Sequence, residues 1–198
     1  MRTVVQMVVF IAVSAFIFGC NSKNSAEQKA LLDNNKNLAI KFLQGVQDGD
    51  KNKMYEAANL TKEIVDESRQ RLIQSGQNKL TDQQRSDFEH ALRISGNIDF
   101  IGKKIKMMMP KSATFEITQT KSKELPDGVR RTDHSTKITY GNKEEAMQDK
   151  TGKTVKELML PLLQISRTVN GRAINDFSFD NKDFEKLADK DFQVVSYY

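Results

Sequence analysis

The spacing of apolar residues changes between residues 96 and 113, and that change constrains the fold of this chain more than any other feature. Before it, apolar residues recur with a helical period. Ala39, Phe42, Leu43 and Val46 follow the i, i+3, i+4, i+7 pattern of one buried face. This predicts a helix from about Ser25 or Ala26 to Gln47. Asp48-Gly49-Asp50 breaks it, with Gly49 suited to a left-handed cap and Asp50 to capping the next helix. Met54, Tyr55 and Ala58 fall on a short second helix. Thr61 can cap a third, carrying Ile64, Val65 and Leu72 and ending at Gly76. Thr81-Asp82-Gln83-Gln84 has the form of a capping box. It opens a fourth helix with Phe88, Ala91 and Leu92 inward, which Gly96 is expected to close.

After the change the period is two. Ala113 to Thr118 alternates like a strand. Pro126-Asp127-Gly128 marks a turn, and Ser135 to Tyr140 alternates again. A charged loop is expected over 142–153. Leu160 to Val169, then Asn170-Gly171, then Arg172 to Phe179 is a hairpin signal, because Asn-Gly adopts the positive φ angles of a type I′ turn. A two-residue turn pairs Arg167 with Ile174. That leaves Ile165, Val169 and Ile174 on one face and Phe177 and Phe179 on the other. A bulge near Asn175-Asp176 would reunite them, and a sheet covered on both sides is the alternative. A last short helix is expected over 183–189, followed by a strand or docked tail over 192–198. The fold class expected is α+β: N-terminal helices packed on a curved antiparallel sheet of four to five strands.

The start of the chain speaks to location. Thr3 to Gly19 is uncharged and mostly apolar, follows Arg2, and ends at Gly19-Cys20. It is shorter than the roughly 20 residues a membrane-spanning helix needs. A basic residue, an apolar run and a small residue at the end form the layout of a cleaved leader. Cys20 is the only cysteine. The segment resembles a bacterial lipoprotein signal peptide, with Phe18 bulkier than the residue usual there. The resemblance implies cleavage before Cys20 and lipid on its sulfur. Asn21, rather than Asp, is similar to a signal for the outer membrane in bacteria with two membranes. Expected boundaries are a signal peptide over 1–19, a lipidated cysteine and tether over 20–30, and one α+β domain over 31–198. With Cys20 lipidated no disulfide can form, so stability must come from a packed core. At 38% hydrophobic residues the composition suffices for one. The formal charge of +5 is interleaved with acids and falls by one when Arg2 leaves. A solvated surface is therefore expected rather than nucleic-acid binding.

The stretch NLAIKFLQGVQDGDKNKMYEAANLT resembles the opening of small lipoproteins of the nuclear-transport-factor-2-like, or cystatin-like, superfamily. There a helix ending in (Q/K)-x-G-D leads to a helix reading (K/A)-x-Y-x-x-(A/L). Gln47, Gly49 and Asp50, then Lys53, Tyr55 and Ala58, carry the likeness. In the closing hairpin, Gly171, Ile174, Asp176 and Phe177 match that superfamily's last strand pair, while Ala173 and Asn175 depart from it and its tryptophan is absent. The likeness extends over most of residues 35 to 180. It implies a cystatin-like cone with an internal cavity, on which isomerases, dehydratases and non-catalytic binders are built.

No catalytic residue, metal or cofactor is expected. His90 borders the buried face of the fourth helix, and His134 lies on a strand or its turn. Neither has the paired spacing of a metal site. Ser135 is no nucleophile for His134, since strand neighbours point to opposite faces. Tyr55 could face the cavity; its ordinary role is to pack its ring and wet its hydroxyl. Met107-Met108-Met109 reads first as a core strand, with an adaptable binding surface or soft-metal ligation as alternatives. Lys103, Lys104, Lys106 and Lys111 around it read as protection for an edge strand, or as a contact with anionic headgroups. The Asn59-Leu60-Thr61 sequon is not expected to be glycosylated. The expected function is a membrane-tethered, non-catalytic binding or scaffold lipoprotein of the cell envelope, joined to the membrane through Cys20. The rivals are a small-substrate enzyme on the same cone, and an immunity or inhibitor lipoprotein that blocks a partner.

Overall fold

The computed structural model describes the backbone over residues 2–74, 80–148, 152–169, 171–179 and 194–197; side chains are described from Ser25 onward, Asp127 and the last of these segments excepted. The elements in chain order are α1 (Arg2–Asp48), α2 (Lys51–Ala57), α3 (Lys62–Ile73), α4 (Asp82–Met108), β1 (Thr114–Glu124), β2 (Arg130–Thr139), β3 (Val155–Val169), β4 (Arg172–Ser178) and β5 (Val194–Tyr197). The protein is α+β, with helices preceding a curved antiparallel sheet, as the change of period predicts. The chain divides into two compact units, residues 1–35 and residues 36–198. The first is helical from Arg2, so α1 begins well before the expected start at Ser25 or Ala26. No proline interrupts residues 2–48 and no helix-ending pair precedes Asp48-Gly49, so nothing local stops the helix earlier.

Helix ends in the second unit are set by local bonds. Gly49 has φ +75°. With it in the left-handed region, Asp50 N–H donates to Gly45 O at 2.8 Å and Gly49 N–H to Val46 O at 3.2 Å. These are the two bonds of a Schellman motif. Asp50 then caps α2 by accepting from Lys53 N–H at 3.2 Å. α2 ends the same way: Asn59 takes φ +55° and Leu60 N–H donates to Tyr55 O at 2.9 Å. Thr61 caps α3. Thr81 and Gln84 form the expected capping box, with bonds of 3.2 and 3.0 Å. The expected stop at Gly76 lies outside the described residues.

Two expectations for α4 are corrected. The helix does not close at Gly96 but runs on to Met108. Ile94, Ile98, Ile105 and Met108 continue its buried face, and that burial outweighs the roughly 1 kcal/mol an internal glycine costs. Met107 and Met108 are therefore helical, not a strand, and Met109 is the C-cap. Met108 and Met109 are buried, whereas Met107 is 83% exposed. The same extension moves Lys103, Lys104 and Lys106 from an expected edge strand onto a helix. Tyr140 closes α4, donating its hydroxyl to Met108 O at 2.6 Å. Burial pushes that phenol's pKa up.

The sheet is a meander in the order β1-β2-β3-β4, with β5 paired to the start of β3. The turn at Pro126–Gly128 joins β1 to β2, as expected. Gly171 has φ +74°, in keeping with the predicted hairpin turn; Asn170 lies outside the described residues. Pairing runs from Val169↔Arg172 to Leu163↔Ser178 without a break, so the bulge expected near Asn175-Asp176 is absent. The sheet is instead covered on both sides there: Ile174, Asn175, Asp176 and Phe177 are all buried. Pro161 of β3 falls between the segments paired to β4 and β5. A residue without an N–H is tolerated at such a gap. The expected final helix over 183–189 lies outside the described residues; the tail does contain a strand, β5.

α1 packs on the sheet face that carries Phe177, whose ring stacks on Phe42 at 4.4 Å between centroids. α1 also approaches α2 closely. A Cβ built on Gly45 would lie 2.9 Å from Met54 N and from Lys53 Cβ. A methyl group there must push two backbones apart. Gly45→Ala is expected to lower unfolding free energy by about 1–3 kcal/mol, read as a lower urea midpoint. An unchanged midpoint would mean that the α1–α2 contact is looser than described.

Candidate functional site

The inner face of the sheet holds a chain of buried polar side chains. Leu158, Leu160 and Leu162 of β3 face inward, and Gln164 continues that row. Across β2 stand Thr132, His134, Thr136 and Ile138, all buried. In β1 the register shifts between Ile117 and Gln119. A bulge reverses which alternate residues face inward, and here it turns Thr120 toward His134 at 3.1 Å. The chain then runs from His134 Nε2 to Gln164 Oε1 at 3.0 Å, and from Gln164 Nε2 to Asn175 Oδ1 at 3.0 Å. Ser166 Oγ also donates to Asn175 Oδ1, at 2.7 Å. Asn175 Nδ2 donates to Ala57 O at 3.3 Å.

Donor and acceptor roles follow from that last bond. A carbonyl only accepts, so Asn175 must present Nδ2 to Ala57 and Oδ1 to its other partners. Gln164 therefore donates through Nε2 and accepts through Oε1. His134 must carry its proton on Nε2, and its bare Nδ1 accepts from the Thr120 hydroxyl. Burial lowers the His134 pKa, partly offset by the bond to Gln164. The two side chains bonded to the ring, Thr120 and Gln164, are both uncharged. The arrangement joins four strands to the end of α2.

The same end of α2 covers the free edge of β4. Asn175 N–H donates to Ala58 O at 3.0 Å, and Asn59 Nδ2 donates to Ala173 O at 2.6 Å. The sequon asparagine thus seals a sheet edge.

His90 stands in a second cluster, on α4. Its Nδ1 faces Arg93 Nη2 at 3.0 Å. Arginine only donates, so Nδ1 is bare and the proton sits on Nε2. Arg93 also reaches Asp176 on β4, at 3.2 Å. Burial and the positive charges of Arg93 and Arg167 hold the His90 pKa down at about 4, against a smaller opposing pull from Asp87. Asp176 is pushed up by burial, opposed by Arg93. His90 is therefore neutral near pH 7. Tyr55 packs against the core and its hydroxyl meets Ser95 O at 3.2 Å and Ser95 Oγ at 3.0 Å. Among the described residues no group of acidic, His or Cys side chains could hold a metal ion.

An open groove of about 440 Å³ lies between α1 and β1. Ile40, Phe115 and Ile117 give it an apolar floor, with Lys36, Gln44 and Glu116 among its polar lining. Gln47 braces one end by donating to Pro110 O at 3.2 Å and Ala113 O at 2.6 Å. Neither His90 nor Tyr55 lines it.

The residues carrying the cystatin-like likeness thus act as fastenings. Gln47 ties α1 to the start of β1, Gly49 and Asp50 turn the chain, Lys53 pairs with Asp48 at 2.7 Å, and Ala58 holds β4. Thr120 and Gln164 carry no motif in the sequence, and Asn175 stands out there only at the expected bulge and as a departure from the superfamily pattern. Gln164 carried a signal, since it extends a Leu-x-Leu-x-Leu alternation into the buried face. Cys20 lies within the helical backbone of α1, and its side chain is outside the described set. Among the described residues no helix is long and apolar enough to cross a membrane. No family model, no curated protein and no solved structure matches the chain.

Proposed function

We propose that this chain is a lipid-anchored, non-catalytic binding or scaffold domain of the bacterial cell envelope, built on a cone of the nuclear-transport-factor-2-like class. The observation that carries the reading is the uncharged run from Thr3 to Gly19 ending at the sole cysteine, Cys20. Lipid on that residue would hold the domain at a membrane surface, facing the periplasm where there are two membranes. The groove between α1 and β1 supports binding rather than conversion. Its lining offers an apolar floor with amide, ammonium and carboxylate groups for recognition, and neither histidine reaches it. Elsewhere His134 is committed to Thr120 and Gln164, and His90 Nδ1 to Arg93.

The test is metabolic labelling. Fatty acid should enter the wild-type protein, and Cys20→Ala should lose both label and membrane retention. Equal labelling of the two would overturn the anchor. A turnover lost in His90→Ala or Tyr55→Phe, with folding intact, would overturn the non-catalytic assignment.

A further inference from the structure

The outer face of α4 sets two exposed apolar side chains among lysines. Phe100, Lys103, Lys104 and Met107 stand at i, i+3, i+4 and i+7, so they share one face of the helix. The opposite face, with Ile98, Gly102 and Ile105, is buried. Phe100 is 55% exposed and Met107 83%, two of three large apolar side chains exposed in this way among the described residues. Lys104 Nζ lies 4.2 Å over the Phe100 ring. Asp99, just before Phe100, pairs with Lys51 at 2.8 Å.

We propose that this face of α4 docks on the headgroup region of an anionic lipid bilayer. An exposed aromatic and a flexible thioether can sink below the headgroups while flanking ammonium groups stay at phosphate level. Anionic lipids draw such lysines within a Debye length. The charge is complementary to such a surface, since both ionisable residues among the four positions are lysines. The proposal rests on the lipid-anchor reading, because an anchor keeps the domain close enough for a modest patch to engage. Docking would hold the domain in one orientation on the membrane.

The chain contains no tryptophan, so a single one reports cleanly. The lipidated protein carrying Phe100→Trp, with Met107→Trp as a second reporter, is purified from membranes and mixed with vesicles of phosphatidylcholine alone or with added phosphatidylglycerol. Both sites are exposed, so the fold should tolerate the indole. With phosphatidylglycerol present, the emission is expected to shift to the blue and to be quenched by brominated acyl chains. Lys103→Glu with Lys104→Glu should abolish both effects. Protein that sediments with the anionic vesicles but keeps a solvent-like emission overturns the docking face and leaves the anchor standing. Protein that sediments with neither vesicle overturns both. Equal quenching on the neutral vesicles overturns the role of anionic headgroups. A blue shift with polyglutamate but not with phosphatidylglycerol assigns the face to an acidic protein and overturns the bilayer assignment.

Discussion

Asn175→Leu is expected to lower the unfolding free energy by about 3 kcal/mol or more. The side chain is buried at 4% exposure and holds three bonds, to Gln164, Ser166 and Ala57. Leucine matches its volume approximately but strands the Gln164 amide and the Ala57 carbonyl without partners. Buried polar groups left unpaired cost about 1–3 kcal/mol each. The effect should also be non-additive. In Gln164→Leu the same bond is already gone, so the double variant should lose less than the sum of the singles. Urea denaturation of the four proteins checks both statements. A loss under about 1 kcal/mol for Asn175→Leu would show that the polar chain is not holding β4.

Acid should destabilise the fold before most carboxylates titrate. In the unfolded chain both histidines take a proton near pH 6.5, whereas folded His90 resists until about pH 4. Between those values the unfolded state binds more protons, so stability falls as pH falls. The stabilisation is complete above about pH 6.5 and lost progressively toward pH 4, with a ceiling of about 3 kcal/mol from His90. His134 adds a contribution of the same sign. The groups acting on His90 are Arg93 from α4 itself, Arg167 from β3, and Asp87. Asp176 works in the opposite direction: its raised pKa lets the folded state take a proton first, which tempers the loss at the acid end. Urea midpoints at pH 7, 6 and 5 should decline in the wild type. His90→Leu should flatten that decline, leaving the His134 share. A wild-type midpoint that stays level over this range would contradict the buried, neutral state of both rings.

Much of the helical half was legible because its determinants are local. The bonds of Asp50, Thr61 and the Thr81–Gln84 box each span three residues, so a short window contains donor, acceptor and spacing together. Gly49 and Gly171 were readable for the same reason, since a positive φ is a property of one residue. The hairpin register also followed from its two-residue turn. What a window could not weigh was the gain from distant packing. Gly96 looks like a stop because the residue alone disfavours helix; only the core beneath Ile98 and Ile105 carries α4 through it. That one decision moved Met107 and three lysines from an expected edge strand onto a helix. The polar chain is less local still. Thr120 meets His134 through a bulge in β1, and Asn175 reaches Ala57 across 118 residues of sequence. The amino-acid order by itself therefore determined most element types, caps and turns. Tertiary structure decided where α4 ends, that β4 is buried on both faces, and which polar residues find one another, because those outcomes depend on burial and pairing between segments far apart in the chain.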